Sequence, residues 1–198
     1  MDKEYLPKKE KTSHSTFSPE IVQTSNTDLR DFILWHLLER YRHPEYMSQD
    51  QVFVFLYDEY FSQLEINDLN SANLSLIREK AERLRRLALF HTAPNFQLND
   101  SIDLQTVESD YTVLFFFDHD CDVCQQERLD LDSVCALHPE ITVLAFDMNP
   151  ETPGELDNPS KLIGLYDIET TPLIYVLDSD KRIIAKKIRA RQIPLMIQ

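Results

Sequence analysis

The segment Thr112-Val-Leu-Phe-Phe-Phe117-Asp-His-Asp-Cys121-Asp-Val-Cys124 decides the fold of this chain of 198 residues. Its first six residues form a continuous apolar run rich in β-branched and aromatic side chains, which predicts a strand buried on both faces. A helix is predicted to follow over Val123–Leu137, so the two cysteines stand where a buried strand gives way to a helix. Cys-x-x-Cys in this setting is typical of a redox pair.

The position of the cysteines gives this motif a chemical meaning. A thiolate at a helix N-terminus faces backbone N–H groups without partners and the positive end of the helix dipole, which stabilise it. Two intervening residues bring the second sulfur within reach of the first, so that a mixed disulfide can be resolved inside the protein. We therefore expect Cys121 to be the exposed attacking thiol and Cys124 to be the partly buried resolving thiol.

The segments downstream of the motif continue to alternate between strand and helix patterns. Ile141–Phe146 is a second apolar run, Pro159–Tyr166 has a helical pattern, and Leu173–Leu177 with Arg182–Ile188 predict a hairpin. The order strand, helix, strand, helix, strand, strand predicts an α/β fold, a central mixed sheet flanked by helices with an antiparallel edge.

The first half of the chain has a helical pattern. One helix is predicted from Asp28 to the stop at His43-Pro44, a second opens at the capping box Ser48–Gln51, and a third covers Ser71–Phe90. The side chains predicted to be buried are Leu29, Phe32, Ile33, Leu37 and Leu38, then Val52, Phe53, Leu56 and Tyr60, then Leu74, Ile77, Ala81, Leu84 and Ala88. Apolar residues at helical spacing are usually core, so these helices predict a packing or interaction region without a site.

The charge distribution divides the chain near residue 90. Residues 91–198 hold 19 acidic and 8 basic residues, whereas residues 1–90 hold 15 and 12. Residues 1–26 are polar and without periodicity. We predict a flexible tail over 1–26, a helical region over 27–90 and an α/β domain over 91–198.

Composition excludes several classes of function. The only glycines are Gly154 and Gly164, so no glycine-rich phosphate-binding loop is possible. A formal net charge of −14 argues against binding to nucleic acid. The longest apolar run, Val113–Phe117, is far too short to span a membrane, and the first ten residues lack the apolar core of a signal peptide. We expect either a cytoplasmic protein or a chain from which an export signal was removed.

A second motif, Glu169-Thr-Thr171-Pro172, precedes the predicted strand Leu173–Leu177. Proline donates no ladder hydrogen bond, so its place at the start of a central strand is unusual and favours a cis Thr171–Pro172 bond. Together with Cys-x-x-Cys after the first buried strand, this motif resembles the thioredoxin fold.

Two longer segments narrow the resemblance. Ala93–Leu98 is similar to the opening, and Leu165–Asp178 to the proline segment, of thiol–disulfide oxidoreductases of the TlpA and ResA type. The last hairpin carries Lys181 where such proteins often have glycine. The helical first half is similar to the helical extension found before this domain in many proteins of Bacteroidetes, so the resemblance covers roughly residues 28–188.

The resemblance implies thiol–disulfide exchange outside the cytoplasm, in the periplasm or at the cell envelope, with a cytoplasmic location as the alternative. Cys121 would be the nucleophile and Cys124 the resolving thiol, while Thr171, Pro172 and Phe117 would form the substrate groove. Pro172 would also keep metal ions off the thiols. The implied partners are a protein thiol or disulfide substrate and an upstream electron donor. No cofactor is implied, and a trimmed N-terminal anchor would supply a membrane tether.

Charged residues next to Cys121 predict the direction of exchange. Asp118, Asp120 and Asp122 place negative charge around its sulfur, which disfavours the thiolate and opposes the helix dipole. Such a cysteine is a poorer leaving group and forms a more stable disulfide, so a reductant is favoured over an oxidant. A protonated His119 would offset part of the acidic charge.

Two alternatives accompany this interpretation. Cys121, Cys124, Cys135 and His138 have the spacing of a zinc site. A single helix would hold the thiols of Cys124 and Cys135 roughly 16 Å apart, too far for one ion bound at about 2.3 Å, so no metal is predicted and Cys135 is expected in the core. The other alternative is a redox-silent thioredoxin-like adaptor that only binds partners, since a fold does not guarantee its usual chemistry.

Overall fold

A computed structural model describes residues 27–62, 71–99, 101–149 and 159–197 of the protein. The predicted tail over residues 1–26 lies outside the described residues. The helices are α1 Thr27–Arg42, α2 Asp50–Leu56, α3 Ser71–Arg86, α4 Asp122–Leu137 and α5 Pro159–Leu165. The strands are β1 Tyr111–Phe117, β2 Ile141–Asp147, β3 Leu173–Leu177 and β4 Ile183–Lys186. A π-helical turn, Tyr57–Phe61, continues α2, and 3-10 turns cover Leu104–Thr106 and Ala190–Leu195.

The four strands form one mixed sheet in the order β2-β1-β3-β4. β1 pairs parallel with β2, from Tyr111 opposite Ile141 to Phe117 opposite Asp147, and antiparallel with β3, which in turn pairs antiparallel with β4. This confirms the predicted α/β fold with a mixed sheet and an antiparallel edge.

Strand β1 is buried on both faces because each face of the sheet carries its own core. Leu114 and Phe116 pack into one cluster, while Val113 and Phe115 pack into the other. Successive residues of a strand point to opposite faces, so a continuous apolar run fills both cores at once. The predicted central strand is therefore confirmed.

The turn between β3 and β4 accommodates Lys181 at a backbone angle that favours glycine, with φ at 59°. Its Nζ atom is buried and donates to Thr112 Oγ1 at 3.0 Å and Ser109 Oγ at 3.2 Å. Burial lowers the pKa of the Lys181 ammonium. The lysine thus replaces the glycine at this turn while its side chain bonds to hydroxyl groups of the chain around β1.

In the helical region, the predicted inward face of α1 is partly wrong. Leu34 and Leu38 are buried, whereas Leu29 and Phe32 are 47% and 68% exposed. Apolar residues occur around most of this helix, so their spacing alone does not indicate which face packs on α2. In α2, Phe53 and Leu56 are buried as predicted, but Val52 is exposed.

The predicted helix ends also differ at two places. Ser48 does not cap α2: its φ is 73°, and Gln49 occupies the N-cap position without a side-chain cap hydrogen bond. α3 ends at Arg86 instead of Phe90, because Phe90 turns to φ 66° and donates its N–H to the carbonyl of Ile183 at 2.8 Å. The chain leaves the helix in order to pair with the sheet.

Buried ion pairs join the helical region to the sheet. Asp50 at the start of α2 contacts Lys186 of β4, and both side chains are 2% exposed. Lys80 of α3 lies 3.3 Å from Asp167, a residue of the segment that precedes β3. None of the helices described by the structure is long and apolar enough to cross a membrane.

Candidate functional site

The two cysteines of the motif lie at the N-terminus of α4. Cys121 is the N-cap residue, and its Sγ atom accepts a hydrogen bond from the backbone N–H of Cys124 at 3.2 Å. Cys121 is half-buried, whereas Cys124 is 1% exposed. The cysteine that faces solvent is therefore the one that receives the backbone hydrogen bond expected to stabilise a thiolate.

The environment of Cys124 keeps its thiol protonated. Burial is the main cause that raises the pKa of Cys124, and the hydrogen bond with Cys121 adds to it. A hydrogen bond with the side chain of Thr171 acts in the opposite direction. All three cysteines are free thiols in this structure.

Sheet register brings Pro172 next to the cysteines. Leu173 of β3 pairs with Phe116 of β1, so the residue before β3 lies beside the end of β1 from which the chain leads into α4. The Thr171–Pro172 peptide bond is cis. Two segments that are about 50 residues apart in sequence thus meet at one edge of the sheet.

A groove of about 550 Å³ surrounds this meeting point. We call it the Cys121 groove. Its lining comes from residues 43–45, from Cys121, Val123 and Glu127, from Asp167 and residues 169–174, and from residues 187–189. The predicted groove residues Thr171 and Pro172 lie in it.

Phe117, which was also predicted in the groove, is not part of its lining. Its ring stacks on Phe115 with centroids 5.3 Å apart, and the guanidinium of Arg128 lies 5.5 Å from its centroid. As the last residue of β1, it points to the face of the sheet covered by α4 instead of toward the thiols.

The acidic residues before Cys121, Asp118 and Asp120, lie in a hydrogen-bonded loop. Asp118 accepts from the backbone N–H of Asp120 at 2.9 Å, and the side-chain amide of Asn149 donates to Asp118 and Asp120 at 3.2 and 3.3 Å. Asp122 is exposed in the first turn of α4. The loop therefore presents fixed negative charge beside the Cys121 groove.

His119 is held between two of the acids that surround it. Its Nδ1 atom lies 2.8 Å from Asp147 Oδ2, and its Nε2 atom lies 3.3 Å from Asp120 Oδ1. The hydrogen bond with Asp147 is the main cause that raises the pKa of His119 above 6.5. The imidazole thus keeps its proton to higher pH and offsets part of the acidic charge near Cys121.

Within the described ranges, one grouping of side chains has the spacing of metal ligands. The ligand atoms of Asp118, His119 and Asp120 all lie within 4.8 Å of one another. Cys124 and Cys135 both lie in the single helix α4. This is the arrangement that was assumed from the sequence, in which one helix holds the two thiols too far apart to bind the same zinc ion.

Sequence reasoning missed much of the groove lining, including Glu127, Asp167 and residues 43–45. Glu127 is buried in α4, where it accepts hydrogen bonds from the backbone N–H of Ala190 and from Arg189 at 3.1 Å. Asp167 is buried as well, and residues 43–45 come from the helical region. Glu127 follows Cys124 by three residues, so it shares a helix face with the thiol, and this spacing was a usable signal.

Comparison with known proteins identifies the fold. No protein-family model matches the chain, and no curated protein matches it either. A thioredoxin-like protein from Bacteroides caccae superposes with a TM-score of 0.53 at 18% sequence identity, covering 92% of this chain and 84% of that one. This chain has a thioredoxin-like fold. Because the match covers 92% of the chain, the likeness extends into the helical region before the thioredoxin-like domain.

Two further solved structures are similar to a little more than half of the chain. A domain of a possible thiol-disulfide isomerase from Cytophaga hutchinsonii is 31% identical, with a TM-score of 0.43 over 55% of this chain and 89% of that one. A thiol:disulfide interchange protein from a Bacteroides species is 18% identical, with a TM-score of 0.45 over 54% of this chain and 86% of that one.

Proposed function

We propose that this protein is a thiol–disulfide oxidoreductase of the TlpA and ResA type, in which Cys121 attacks and Cys124 resolves. The observation that carries the proposal is the arrangement of three groups. Cys121 lies half-exposed at the N-terminus of α4, Cys124 is buried one turn later, and the Thr171–Pro172 segment shares the groove with Cys121.

The exchange proceeds in two balanced steps. The Cys121 thiolate attacks one sulfur of a substrate disulfide, forming a mixed disulfide, and the other substrate sulfur leaves as a thiolate that takes up a proton. Cys124 then loses its proton, attacks the Cys121 sulfur, and releases the second substrate thiol. The substrate gains two electrons and two protons, and the protein ends with a Cys121–Cys124 disulfide that an upstream dithiol donor reduces again.

The raised pKa of Cys124 suits the order of these steps. Only a thiolate attacks a disulfide, so a buried resolving thiol that holds its proton leaves the first attack to Cys121.

The acidic loop supports the reducing direction. Asp118, Asp120 and Asp122 add negative charge beside Cys121, and a neutral disulfide adds no further charge there, so we propose that the protein acts as a reductant. We further propose that the substrate is a protein outside the cytoplasm, as implied by the resemblance of Leu165–Asp178 to oxidoreductases of the TlpA and ResA type.

Trapping the mixed disulfide tests the assigned roles. In Cys124→Ser the second step is blocked, so incubation with a disulfide-bonded peptide should leave one peptide joined to Cys121, detected as a mass increase that a thiol reductant removes. Cys135→Ser is the matched control, since Cys135 lies on the same helix but outside the groove, and it should accumulate no adduct.

Three results would contradict the roles. An adduct on Cys135 or none at all in Cys124→Ser would remove the attacking role of Cys121. Equal trapping in the Cys124→Ser and Cys135→Ser proteins would remove the resolving role of Cys124. A protein that binds peptides without any adduct would instead be the redox-silent adaptor.

A further inference from the structure

Residues 43–45 bring the helical region into the Cys121 groove. This segment, His43-Pro44-Glu45, follows α1 and lines the same groove as Cys121 and Pro172. Pro44 is buried, whereas the side chains of His43 and Glu45 are exposed. We call this segment the 43–45 wall. The thioredoxin-like domain alone would leave the groove open along this side.

A contact between two residues that are 126 positions apart in sequence holds the 43–45 wall in place. His43 Nδ1 lies 2.7 Å from Glu169 Oε2, and the other carboxylate oxygen of Glu169 accepts a hydrogen bond from Lys80 of α3. Lys80 is buried and also donates to Asp167 at 3.3 Å. Glu169 precedes Thr171 by two residues, so the wall is bonded to the same segment that carries Pro172.

The walled groove is small. Its volume of about 550 Å³ falls within the range of roughly 300–1,000 Å³ in which proteins bind small ligands. The convex surface of a folded domain does not enter a concave site of this size, whereas a single extended chain does. The lining combines the apolar side chains of Val123, Pro172 and Ile188 with charged side chains, which include Glu127, Glu169 and Arg189.

We propose that the 43–45 wall determines substrate choice, restricting exchange to disulfides carried by short or extended polypeptide segments. This inference rests on the proposed function and adds its substrate class. Segments of this kind are accessible in flexible or unfolded chains. Disulfides on the surface of folded domains are excluded by shape.

The test compares two substrates in which the same residues flank the disulfide-bonded cysteine. One is a short disulfide-bonded peptide, and the other is a folded domain that carries the same disulfide on its surface. The measured quantity is the ratio of kcat/KM for the peptide to kcat/KM for the folded domain. For the wild-type protein we expect this ratio to be at least about tenfold.

Trimming the wall should lower that ratio. The double variant His43→Ala/Glu45→Ala removes two exposed side chains, so it is expected to fold, which thermal unfolding checks. Its ratio should fall by about fivefold, chiefly through a gain in kcat/KM for the folded domain. His43→Asn retains a donor for Glu169 and should keep the wild-type ratio. His36→Ala replaces an exposed histidine of α1 outside the groove and is the matched control.

The outcomes separate this inference from the proposed function. A wild-type ratio near one, or a ratio unchanged by the double variant, overturns the role of the wall while exchange at Cys121 remains. A wild-type protein that exchanges with neither substrate overturns the proposed function together with the inference.

Discussion

Replacing Cys121 with serine should abolish disulfide exchange, lowering the rate to the uncatalysed level, a loss of at least about a thousandfold. Cys121 is the one cysteine of the three that both lines the groove and caps α4. A serine hydroxyl is not ionised near neutral pH and does not attack a disulfide. The measurement is the rate of reduction of a disulfide-bonded peptide in the presence of a dithiol donor.

This variant is expected to remain folded, so the loss can be assigned to chemistry. Serine is a favourable N-cap residue, and its hydroxyl accepts the hydrogen bond that the Cys121 sulfur now accepts from the Cys124 N–H. Thermal unfolding of Cys121→Ser should therefore match the wild type. Cys135→Ser serves as the control for removing a thiol from the same helix. Full activity in Cys121→Ser would contradict the assignment of the nucleophile.

Replacing Asp50 with alanine should destabilise the protein by about 3–5 kcal/mol, because it leaves the ammonium of Lys186 buried without its counter-charge. Both side chains are 2% exposed, and Lys186 Nζ otherwise contacts the carbonyl of Leu87. For a chain of this size, each kcal/mol corresponds to roughly 2–4 °C in Tm, so a fall of about 10 °C is expected. Chemical denaturation and thermal unfolding measure the change.

Two controls separate the buried charge from other causes. Asp50→Ala/Lys186→Met removes both charges and should recover much of the lost stability, since a buried pair is often replaceable by apolar groups. Asp58→Ala breaks an exposed pair with Arg85 and should cost less than about 1 kcal/mol. A double variant as unstable as Asp50→Ala would contradict this explanation.

The same pair predicts a dependence on pH. Burial lowers the pKa of Lys186 below 10.5, and the charge of Asp50 counteracts this effect. In Asp50→Ala the native Lys186 should release its proton at still lower pH, so between that lowered pKa and 10.5 the unfolded chain binds more protons than the native one. Stability of Asp50→Ala should therefore rise with pH toward 10.5, and this rise should begin at a lower pH than in the wild type.

Local sequence patterns were sufficient to predict the sheet and the placement of the cysteines. The apolar run Thr112–Phe117 predicts a strand because its residues fill both faces, and the Cys-x-x-Cys segment directly follows it. The helix ends were less predictable, because long-range contacts decide them. Phe90, for example, leaves the helical pattern in order to bond to Ile183.

The groove itself depends on packing that no local pattern carries. His43 meets Glu169 across 126 positions of sequence, and Lys80 meets Asp167 across 87. Asp167 and Lys80 look like ordinary surface charges in the sequence, yet both are buried. The interpretation of the helices as a region without a site was incomplete, because residues 43–45 enter the groove only once the helices pack on the sheet.

Titration of the cysteines in a series of glutathione or dithiothreitol redox buffers tests the central claim most directly. Alkylation and mass measurement give the fraction of protein with a Cys121–Cys124 disulfide at each potential. We predict one two-electron transition, a tenfold change in the ratio per about 30 mV, with a midpoint of roughly −200 to −300 mV, typical of a reductant. A pair that stays as two thiols throughout the series, or that bonds through Cys135, would contradict it.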